Sequence, residues 1–332
     1  IVKTKNKKNY KKIKGICYKD DNGETHRTSI RPLLENLDEL PLPAWHLYDL
    51  SKYKASRISA KGSPVGPVET SRGCVYKCTY CNKSVYGTAF RSKSVKRVVE
   101  EYLYLKKSGF KEIHVWDDMF TTDIPRAKAI CDELAKIKFD IPWALTCGIR
   151  VNNVDQELFF KLKKAGCHAV YFGVESGDQG ILNAVQKRIK PEQAKKAIEL
   201  ANNAGLETIT FFMLGLPGET KESIENSINF AIEVNPLYAK TTILTPYPGT
   251  AIYNEFDNEG LILTKDWSKY NFHAPSKTFN HPNLTWDELD YYYKKFYRKF
   301  YFRRKYILKR LKWNLKEKFL FWDIYYAAKT FF

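Results

Sequence analysis

Three cysteines lie within eight residues of one another, in the spacing Cys74-x-x-x-Cys78-x-x-Cys81. Thiolates are soft ligands that suit iron–sulfur clusters, zinc or copper. The next histidine, His114, follows Cys81 by 33 residues, so no fourth Cys or His ligand is near. A structural zinc ion takes four protein ligands, whereas three thiolates suit a cubane 4Fe-4S cluster with one iron open to a further ligand. The alternatives are a zinc knuckle that borrows a distant ligand, and three unrelated thiols.

The cysteine cluster follows the first of six apolar, β-rich segments that alternate with amphipathic helical patterns. The segments are residues 66–70, 112–117, 143–147, 168–174, 208–214 and 240–244. Strands that alternate with helices predict a parallel sheet with right-handed crossovers. Eight such units close a full barrel, so six predict an α/β fold of the partial (βα)6 TIM-like barrel type. Functional residues should then lie on the loops that leave the carboxyl ends of the strands.

Other strand ends also carry residues that could do chemistry. Asp117 and Asp118 end the second strand, where they face the barrel mouth or form a helix cap or turn pair. Gly215, Pro217 and Gly218 follow the fifth strand and let the backbone approach a flat ring. The same stretch is also typical of a tight strand-to-helix turn with Thr220 as the helix N-cap. Both interpretations can hold together.

The segment ETSRGCVYKCTYC resembles the signature of the radical S-adenosylmethionine superfamily, which has three cysteines at this spacing and an aromatic residue before the last. The resemblance extends over roughly residues 65–250 and implies a 4Fe-4S cluster held by Cys74, Cys78 and Cys81. In that superfamily the open iron chelates S-adenosylmethionine. Reductive cleavage of the sulfonium then gives a 5′-deoxyadenosyl radical that abstracts hydrogen from the substrate.

The resemblance also implies which residues meet S-adenosylmethionine. Arg150, at the end of the third strand, would face its carboxylate, and Glu175 and Ser176, after the fourth, would meet its ribose and amino group. The remaining implied cofactor-binding residues are Tyr80, Gly215, Pro217 and Gly218. A surface position for Arg150 and a simple cap at Glu175–Ser176 are the structural alternatives. No single catalytic residue is assigned.

Residues 31–53 resemble the connector that joins a cobalamin-binding domain to the radical barrel in one subfamily. That subfamily includes an anaerobic porphyrin-ring cyclase, hopanoid methylases and natural-product C-methyltransferases. We therefore expect residues 1–58 to be a hairpin remnant and connector after a cobalamin domain that this chain lacks. Residues 59–255 would form the radical barrel, and residues 256–332 a basic, aromatic-rich, helical extension. Cobalamin is expected as a cofactor only in an intact chain.

The net charge of +18 is concentrated at the two ends of the chain. Residues 1–14 carry +7 and residues 291–332 carry +11, so the 276 residues between them are neutral. The last 42 residues hold 17 aromatic side chains. This tail could pack against the barrel with a basic outer face, cover the barrel mouth, touch anionic lipid or bind nucleic acid. Packing is the favoured interpretation, and nucleic acid is the least favoured partner.

Seven cysteines, three clustered and four scattered, favour a reducing, cytoplasmic compartment over a disulfide framework. Cys147 and Cys167 lie beside strands and are expected to pack as small apolar residues. The absence of a transmembrane-length apolar run leaves only a peripheral contact with a membrane.

The sequence thus predicts a radical S-adenosylmethionine enzyme, with methyl transfer to an unactivated carbon through cobalamin as the leading reaction. A cobalamin-assisted oxidative cyclisation or another radical oxidation is the second candidate. The expected partners are a small-molecule or lipid-like substrate and an electron donor such as flavodoxin or ferredoxin. A zinc-containing nucleic-acid-binding protein is the alternative from another class.

Overall fold

The computed structural model describes residues 7–56, 59–317 and 320–331. The chain divides into two compact units, residues 1–37 and residues 38–332. Strands β1–β10 are Cys17–Lys19, Thr25–Arg27, Val65–Val68, Ser71–Arg72, Arg91–Ser92, Glu112–Val115, Trp143–Ile149, Cys167–Glu175, Glu207–Leu214 and Tyr238–Ile243. Helices α1–α10 are Val95–Lys107, Ile124–Lys136, Gln156–Lys164, Gln179–Ala184, Pro191–Asn203, Lys221–Val234, Ala251–Asn258, Trp286–Tyr301, Arg304–Glu317 and Leu320–Phe331.

The first unit contains the predicted hairpin. Strands β1 and β2 pair antiparallel, with Cys17 opposite Arg27. Asp20 closes the turn, because its carboxylate accepts hydrogen bonds from the backbone N–H groups of Asn22 and Glu24 at 2.9 and 3.0 Å. A side chain that bonds its own downstream backbone in this way fixes a turn.

All six predicted barrel strands are present, and they form one sheet in the order β10-β9-β8-β7-β6-β3. Every neighbouring pair is parallel. Strand order follows chain order, which is the pattern of a barrel that advances one βα unit at a time. Within the described residues, β3 and β10 are not paired with each other, so the barrel is partial, as the sequence predicts.

Short polar side chains cap the helices that follow the barrel strands. Asp123 accepts a hydrogen bond from the N–H of Arg126 at 2.9 Å, and Thr220 accepts one from the N–H of Ser223 at 3.3 Å. Such caps satisfy backbone N–H groups that lack a partner in the first helical turn. The predicted N-cap of α6 is therefore confirmed, and Asp123 caps α2 in the same way.

The connector at residues 38–56 lies along α1. Arg97 Nη2 donates to the carbonyl of Leu40 at 2.6 Å, and the Tyr104 hydroxyl donates to the carbonyl of Pro43 at 2.7 Å. Trp45 packs edge-on against Phe110, with ring centroids 5.1 Å apart. Residues 38–56 thus pack on the outside of the barrel.

The amino-terminal half of the barrel interior holds a polar network. Glu112 accepts hydrogen bonds from the rings of His114 and His168, both at 2.9 Å. Its second oxygen accepts the backbone N–H groups of Lys61 and Gly62 at 2.5 and 2.7 Å. Burial by itself would raise the pKa of Glu112, but these bonds and the charge of His168 lower it from 4.5 to about 2. Glu112 is fully buried, so this end of the barrel is filled by a charged, hydrogen-bonded plug.

The C-terminal extension covers the free edge of β10. The Tyr301 hydroxyl donates to the carbonyl of Ala239 and the Tyr306 hydroxyl to that of Leu237, both at 2.9 Å. Trp313 packs against the small cluster that contains Ala144 and Tyr171, on the interior face of the barrel. The packing interpretation of this tail is therefore confirmed for α8 and for part of α9.

Candidate functional site

The cysteine loop starts where two carboxylates hold the end of the first barrel strand. Asp117 accepts hydrogen bonds from the N–H and hydroxyl of Thr70 and from the hydroxyl of Ser71, at 2.5 to 2.6 Å. Asp118 accepts one from the N–H of Gly73 at 2.8 Å. Burial raises the pKa of Asp117, and its hydrogen bonds oppose that rise. Both aspartates thus position the cysteine loop.

Gly73 is the residue at which the loop turns. Its φ of +86° lies in the left-handed region that favours glycine, and an added Cβ would lie 2.2 Å from the carbonyl oxygen of Ala89. The Cys74 N–H donates to the carbonyl of Gly87 at 3.4 Å, which folds the loop back on itself. No other residue type fits at position 73 without moving backbone.

The three predicted ligands lie on one loop beside two cations. Cys74 and Cys78 are buried and Cys81 is half-buried. Lys83 Nζ lies 3.2 Å from the Cys81 sulfur and also reaches Cys74. Arg150 Nη1 lies 3.7 Å from the Cys78 sulfur. Burial raises the pKa of the Cys81 thiol, and the Lys83 ammonium opposes that rise.

These donors fit a cubane cluster. In the part of the chain that the structure describes, no three His, Cys, Asp or Glu side chains are arranged around a single metal ion. Thiolates of a cubane each bind a different iron, so they do not have to converge on one point. Lys83 and Arg150 would offset the negative charge that three thiolates bring to such a group.

Arg150 is buried rather than on the surface, as the cofactor interpretation requires. Its Nη2 donates to the backbone carbonyls of Lys187 and Arg188, the latter at 3.2 Å. Its guanidinium stacks 3.6 Å from the ring centroid of Tyr76, which lies between two of the cysteines. Arg150 therefore ties the cysteine loop to the segment that follows α4.

Glu175 forms a buried ion pair that the sequence did not indicate. Lys187 Nζ donates to Glu175 Oε1 at 2.7 Å and to the Tyr80 hydroxyl at 3.0 Å. Tyr80 in turn donates to Glu175 Oε1 at 3.1 Å. Burial raises the pKa of Tyr80, and the neighbouring Glu175 carboxylate adds to that rise. Two predicted cofactor-binding residues, Tyr80 and Glu175, are thus brought together by Lys187.

The backbone around Lys187 adopts a conformation that is costly without glycine. Gln186 and Arg188 have φ values of 53° and 52°, and Glu175 has a φ of 69°. Left-handed conformations at such residues persist only where the surroundings enforce them, and they concentrate at functional sites. Sequence reasoning missed Lys187 because no turn residue marks this segment. A lysine directly after a short helix at a strand end was the only available signal.

Ser176 does not point toward this group. Its hydroxyl is hydrogen-bonded to that of Ser227 at 2.9 Å and accepts the N–H of Asp178 at 3.1 Å. These bonds tie the end of β8 to α6. In this structure Ser176 is a fully buried positioning residue.

The loop after β9 is closed by a carboxylate that the sequence analysis did not single out. Gly215 and Gly218 have φ values of 78° and 79° and flank Pro217. Glu219 accepts hydrogen bonds from the N–H groups of Gly215 and Leu216. Burial raises the pKa of Glu219 to about 8, and these two bonds oppose the rise. Gly215 is buried beside Phe279 and Leu289, whereas Gly218 is exposed.

One expectation about the remaining thiols is wrong. Cys167 is buried as predicted, but Cys147 is exposed. A register shift in the pairing of β7 with β8 between Leu145 and Ile149 explains the difference, because it removes the regular alternation of faces there.

Residues 68–231 match the family model described as the Radical SAM superfamily. These residues form a Radical SAM domain. The superfamily holds a 4Fe-4S cluster and S-adenosylmethionine, and the matched residues contain the cysteine loop, Arg150, Glu175 and Lys187.

Two curated relatives and one solved structure extend the comparison. An uncharacterized methyltransferase of Pyrococcus horikoshii is 38% identical over 301 residues, which are 90% of this chain and 63% of the relative. An anaerobic magnesium-protoporphyrin IX monomethyl ester cyclase of Rubrivivax gelatinosus is 29% identical over 265 residues, or 79% of this chain and 46% of the relative. This chain thus spans 63% and 46% of the length of these two relatives.

The structure of the cobalamin-dependent S-adenosylmethionine radical enzyme OxsB, with aqua-cobalamin and S-adenosylmethionine bound, superimposes with a TM-score of 0.63. It is 17% identical, and the match covers 82% of this chain and 45% of that one. At this identity the likeness shows the fold, which confirms the partial radical SAM barrel.

Proposed function

We propose that this chain is the radical-generating part of an enzyme that transfers a methyl group to an unactivated carbon with the help of cobalamin. The observation that carries the proposal is the loop of Cys74, Cys78 and Cys81 against Arg150 at the carboxyl ends of a radical SAM barrel. The methyltransferase name of the relative that is 38% identical supports methyl transfer. The name of the cyclase relative supports ring closure as the second candidate.

The described residues suggest how the cofactors would be held. Cys74, Cys78 and Cys81 would bind three irons of the cluster, which when bound supplies the electron that cleaves the sulfonium of S-adenosylmethionine. Arg150 contacts the Cys78 sulfur and Lys187 contacts the Tyr80 hydroxyl, so a carboxylate would bind beside these two cations. Glu175 is held by Lys187 and Tyr80 with one oxygen left to accept from an ammonium or ribose hydroxyl. The loop at Gly215–Gly218 would approach the adenine.

Cobalamin use is supported by the connector and by the cobalamin-bound structure that shares the fold. Residues 38–56 lie along α1, so a domain attached before them could extend toward the carboxyl ends of the strands. We propose that such a domain covers the barrel mouth in the whole protein.

The electron donor is proposed to be an acidic protein such as flavodoxin or ferredoxin. Lys77 is exposed directly beside Cys78, and Lys83 lies beside Cys81. Basic residues at the point of electron entry would steer a negatively charged donor to the cluster.

We further propose that α9 and α10 contact an anionic membrane surface, although no described helix is long and apolar enough to span a bilayer. Leu308, Leu311 and Leu315 recur at helical spacing on α9 and are 61%, 41% and 74% exposed. Phe321 and Ile324 of α10 are 73% and 63% exposed. Exposed apolar residues on a strongly basic helix are typical of interfacial binding.

Vesicle flotation tests this contact. The chain should float with vesicles that contain phosphatidylglycerol and not with pure phosphatidylcholine, and Leu308→Glu/Leu315→Glu should abolish flotation. Leu47→Glu is the matched control, since Leu47 is 75% exposed on the connector. Equal flotation of the double variant, or salt-sensitive binding to RNA in its place, would contradict the membrane assignment.

Anaerobic reconstitution with iron and sulfide tests the function itself. Mössbauer spectroscopy should show a 4Fe-4S cluster, and dithionite with S-adenosylmethionine should release 5′-deoxyadenosine. Replacing Cys74, Cys78 or Cys81 with Ala should abolish that product, whereas Cys167→Ala should not. Methyl transfer is then checked with a chain that includes the proposed cobalamin-binding domain. With reduced cobalamin and S-adenosylmethionine, it should form methylcobalamin and S-adenosylhomocysteine. A tetrahedral zinc site would exclude the radical SAM function, and productive turnover without cobalamin would exclude its cobalamin part.

A further inference from the structure

The interior of the barrel is less tightly filled toward the carboxyl ends of the strands than at their amino ends, where the Glu112 network lies. Side chains that face the interior alternate along each strand with side chains that face the helices. Six interior positions in the middle and carboxyl-terminal parts of the strands are half-buried, whereas the helix-facing residue that directly precedes each of them is buried. The half-buried positions are Thr146, Gly173, Phe211, Met213, Lys240 and Thr242. They line an open cup.

Lys240 is the charged residue of this cup. It lies on β10, between Tyr238, which is buried, and Thr242 on the same face. Among the described residues, no hydrogen bond or ion pair involves Lys240 Nζ. Its ammonium lies 5.7 Å from the ring centroid of Tyr171 and 6.0 Å from that of Phe211. Burial lowers the pKa of Lys240, with no opposing carboxylate contribution.

The carboxylates of the interior are engaged elsewhere. Glu207 is paired with Lys61 at 3.0 Å and with His168 at 3.5 Å, and Glu112 bonds two histidines. Lys187 satisfies Glu175 at the mouth. Removing an ammonium group from water costs free energy unless the charge is paired. An anionic ligand would therefore be stabilised beside Lys240.

The sheet register connects Lys240 to the cofactor residues. Lys240 lies opposite Phe211, and Phe211 lies opposite Gly173 on the next strand. Gly173 is so close to the buried ion pair that an added Cβ would lie 2.7 Å from Glu175 Oε1 and 3.0 Å from Lys187 Nζ. A ligand anchored at Lys240 would therefore extend along this row of residues toward the Glu175–Lys187 pair.

Two aromatic rings define the rest of the ligand. The rings of Tyr171 and Phe211 have centroids 5.7 Å apart and are tilted by 54°. Phe211 is half-buried, whereas Tyr171 is 6% exposed. The ring of Phe211, backed by that of Tyr171, therefore offers an apolar surface beside the ammonium, which suits a planar or hydrocarbon group attached to the charge.

We infer that Lys240, with Tyr171 and Phe211, forms the substrate-anchoring site of the barrel, and that the substrate carries a carboxylate or a phosph(on)ate next to a planar apolar group. That the ligand is the substrate rests on the proposed function. That the site binds an aromatic anion follows from the positions of Lys240, Tyr171 and Phe211 alone.

Calorimetric titration of the full chain with benzoate and with phenylphosphonate tests the inference and separates the two anion classes. At least one probe should bind, and Lys240→Gln should weaken it by about tenfold or more, the loss expected for a charge-assisted hydrogen bond. Lys240→Arg should retain most of the affinity, and Lys196→Gln, on the exposed face of α5, should leave it unchanged. Benzamide, which carries no charge, should not distinguish the wild-type chain from Lys240→Gln.

A second arm isolates the aromatic wall. Phe211→Leu should weaken benzoate binding and leave acetate binding unchanged, because only the ring contact is lost. Thermal unfolding of each variant shows whether it is folded, and Lys240→Arg keeps the test decisive if Lys240→Gln is not. Equal binding of benzoate and phenylphosphonate to the wild-type chain and Lys240→Gln, or no binding of either to the wild-type chain, overturns the inference. These titrations need neither cluster nor S-adenosylmethionine, so their failure is distinct from a failure to form 5′-deoxyadenosine.

Discussion

The hydroxyl of Tyr297 makes two hydrogen bonds with the backbone of Thr241. It accepts from the Thr241 N–H at 3.2 Å and donates to the Thr241 carbonyl at 3.0 Å. A seventh strand would use the same two groups on the exposed edge of β10. Tyr301 and Tyr306 donate hydrogen bonds to the carbonyls of Ala239 and Leu237. Tyrosine hydroxyls thus bond the backbone of every second residue along this edge. Unpaired strand edges invite association with other chains, so the aromatic extension protects the barrel.

Tyr297→Phe should lower the free energy of unfolding by about 1 to 3 kcal/mol, because it leaves the Thr241 N–H and carbonyl without their partner. Urea unfolding monitored by circular dichroism measures the loss. Tyr291→Phe is the control, since Tyr291 lies on the same helix and is 57% exposed. Equal stability of the two variants would show that the hydroxyl of Tyr297 does not support the strand edge.

Gly73→Ala should prevent cluster assembly. The new Cβ would clash with the carbonyl of Ala89 at 2.2 Å, so the backbone next to Cys74 must move. Gly260→Ala is the matched control, because Gly260 has a φ of +70° and no atom within 4 Å of an added Cβ. Both variants carry backbone strain of roughly 1 kcal/mol or more. Only Gly73→Ala should lose iron, measured as iron per chain after anaerobic reconstitution, and full loading of that variant would refute the clash argument.

Lys187→Met should destabilise the chain by about 3 to 5 kcal/mol, because the buried Glu175 carboxylate would lose its partner. Adding Glu175→Gln to that variant should recover much of the loss, since no unpaired charge remains. Lys195→Met removes an exposed pair with Glu233 and should cost about 1 kcal/mol or less. A double-mutant cycle with urea unfolding gives the coupling energy. Additive losses at Lys187 and Glu175 would exclude the ion pair as a source of stability.

Acid should unfold the wild-type chain through Glu112. Its pKa is about 2 when folded and 4.5 as an ordinary glutamate, so the folded state binds fewer protons between these values. Its contribution, about 3 kcal/mol by the usual conversion, is therefore present above pH 4.5 and is lost as the pH falls toward 2. Glu112→Gln should be less stable at pH 6 and should show a flatter decline between pH 5 and pH 3. Glu255→Gln, at an exposed position of α7, should keep the wild-type pH profile.

The sequence by itself determined the sheet and the chemistry of the cysteine loop. Strand positions follow from apolar runs bounded by caps such as Asp123 and Thr220, which act within a few residues. The spacing of Cys74, Cys78 and Cys81 is local in the same sense, and so is the left-handed turn at Gly215. Local patterns of this kind can be read from the sequence without knowing what lies across the barrel.

Only the tertiary structure decided which charges meet. Lys187 is 12 residues from Glu175 and 107 from Tyr80, yet one ammonium bonds both. Ser176, next to Glu175, is hydrogen-bonded instead to Ser227 on α6. Lys240 reads as an ordinary strand lysine until the register sets it among Tyr171 and Phe211. Burial and pairing depend on elements brought together by the barrel, and these long-range contacts leave no pattern in any single stretch of sequence.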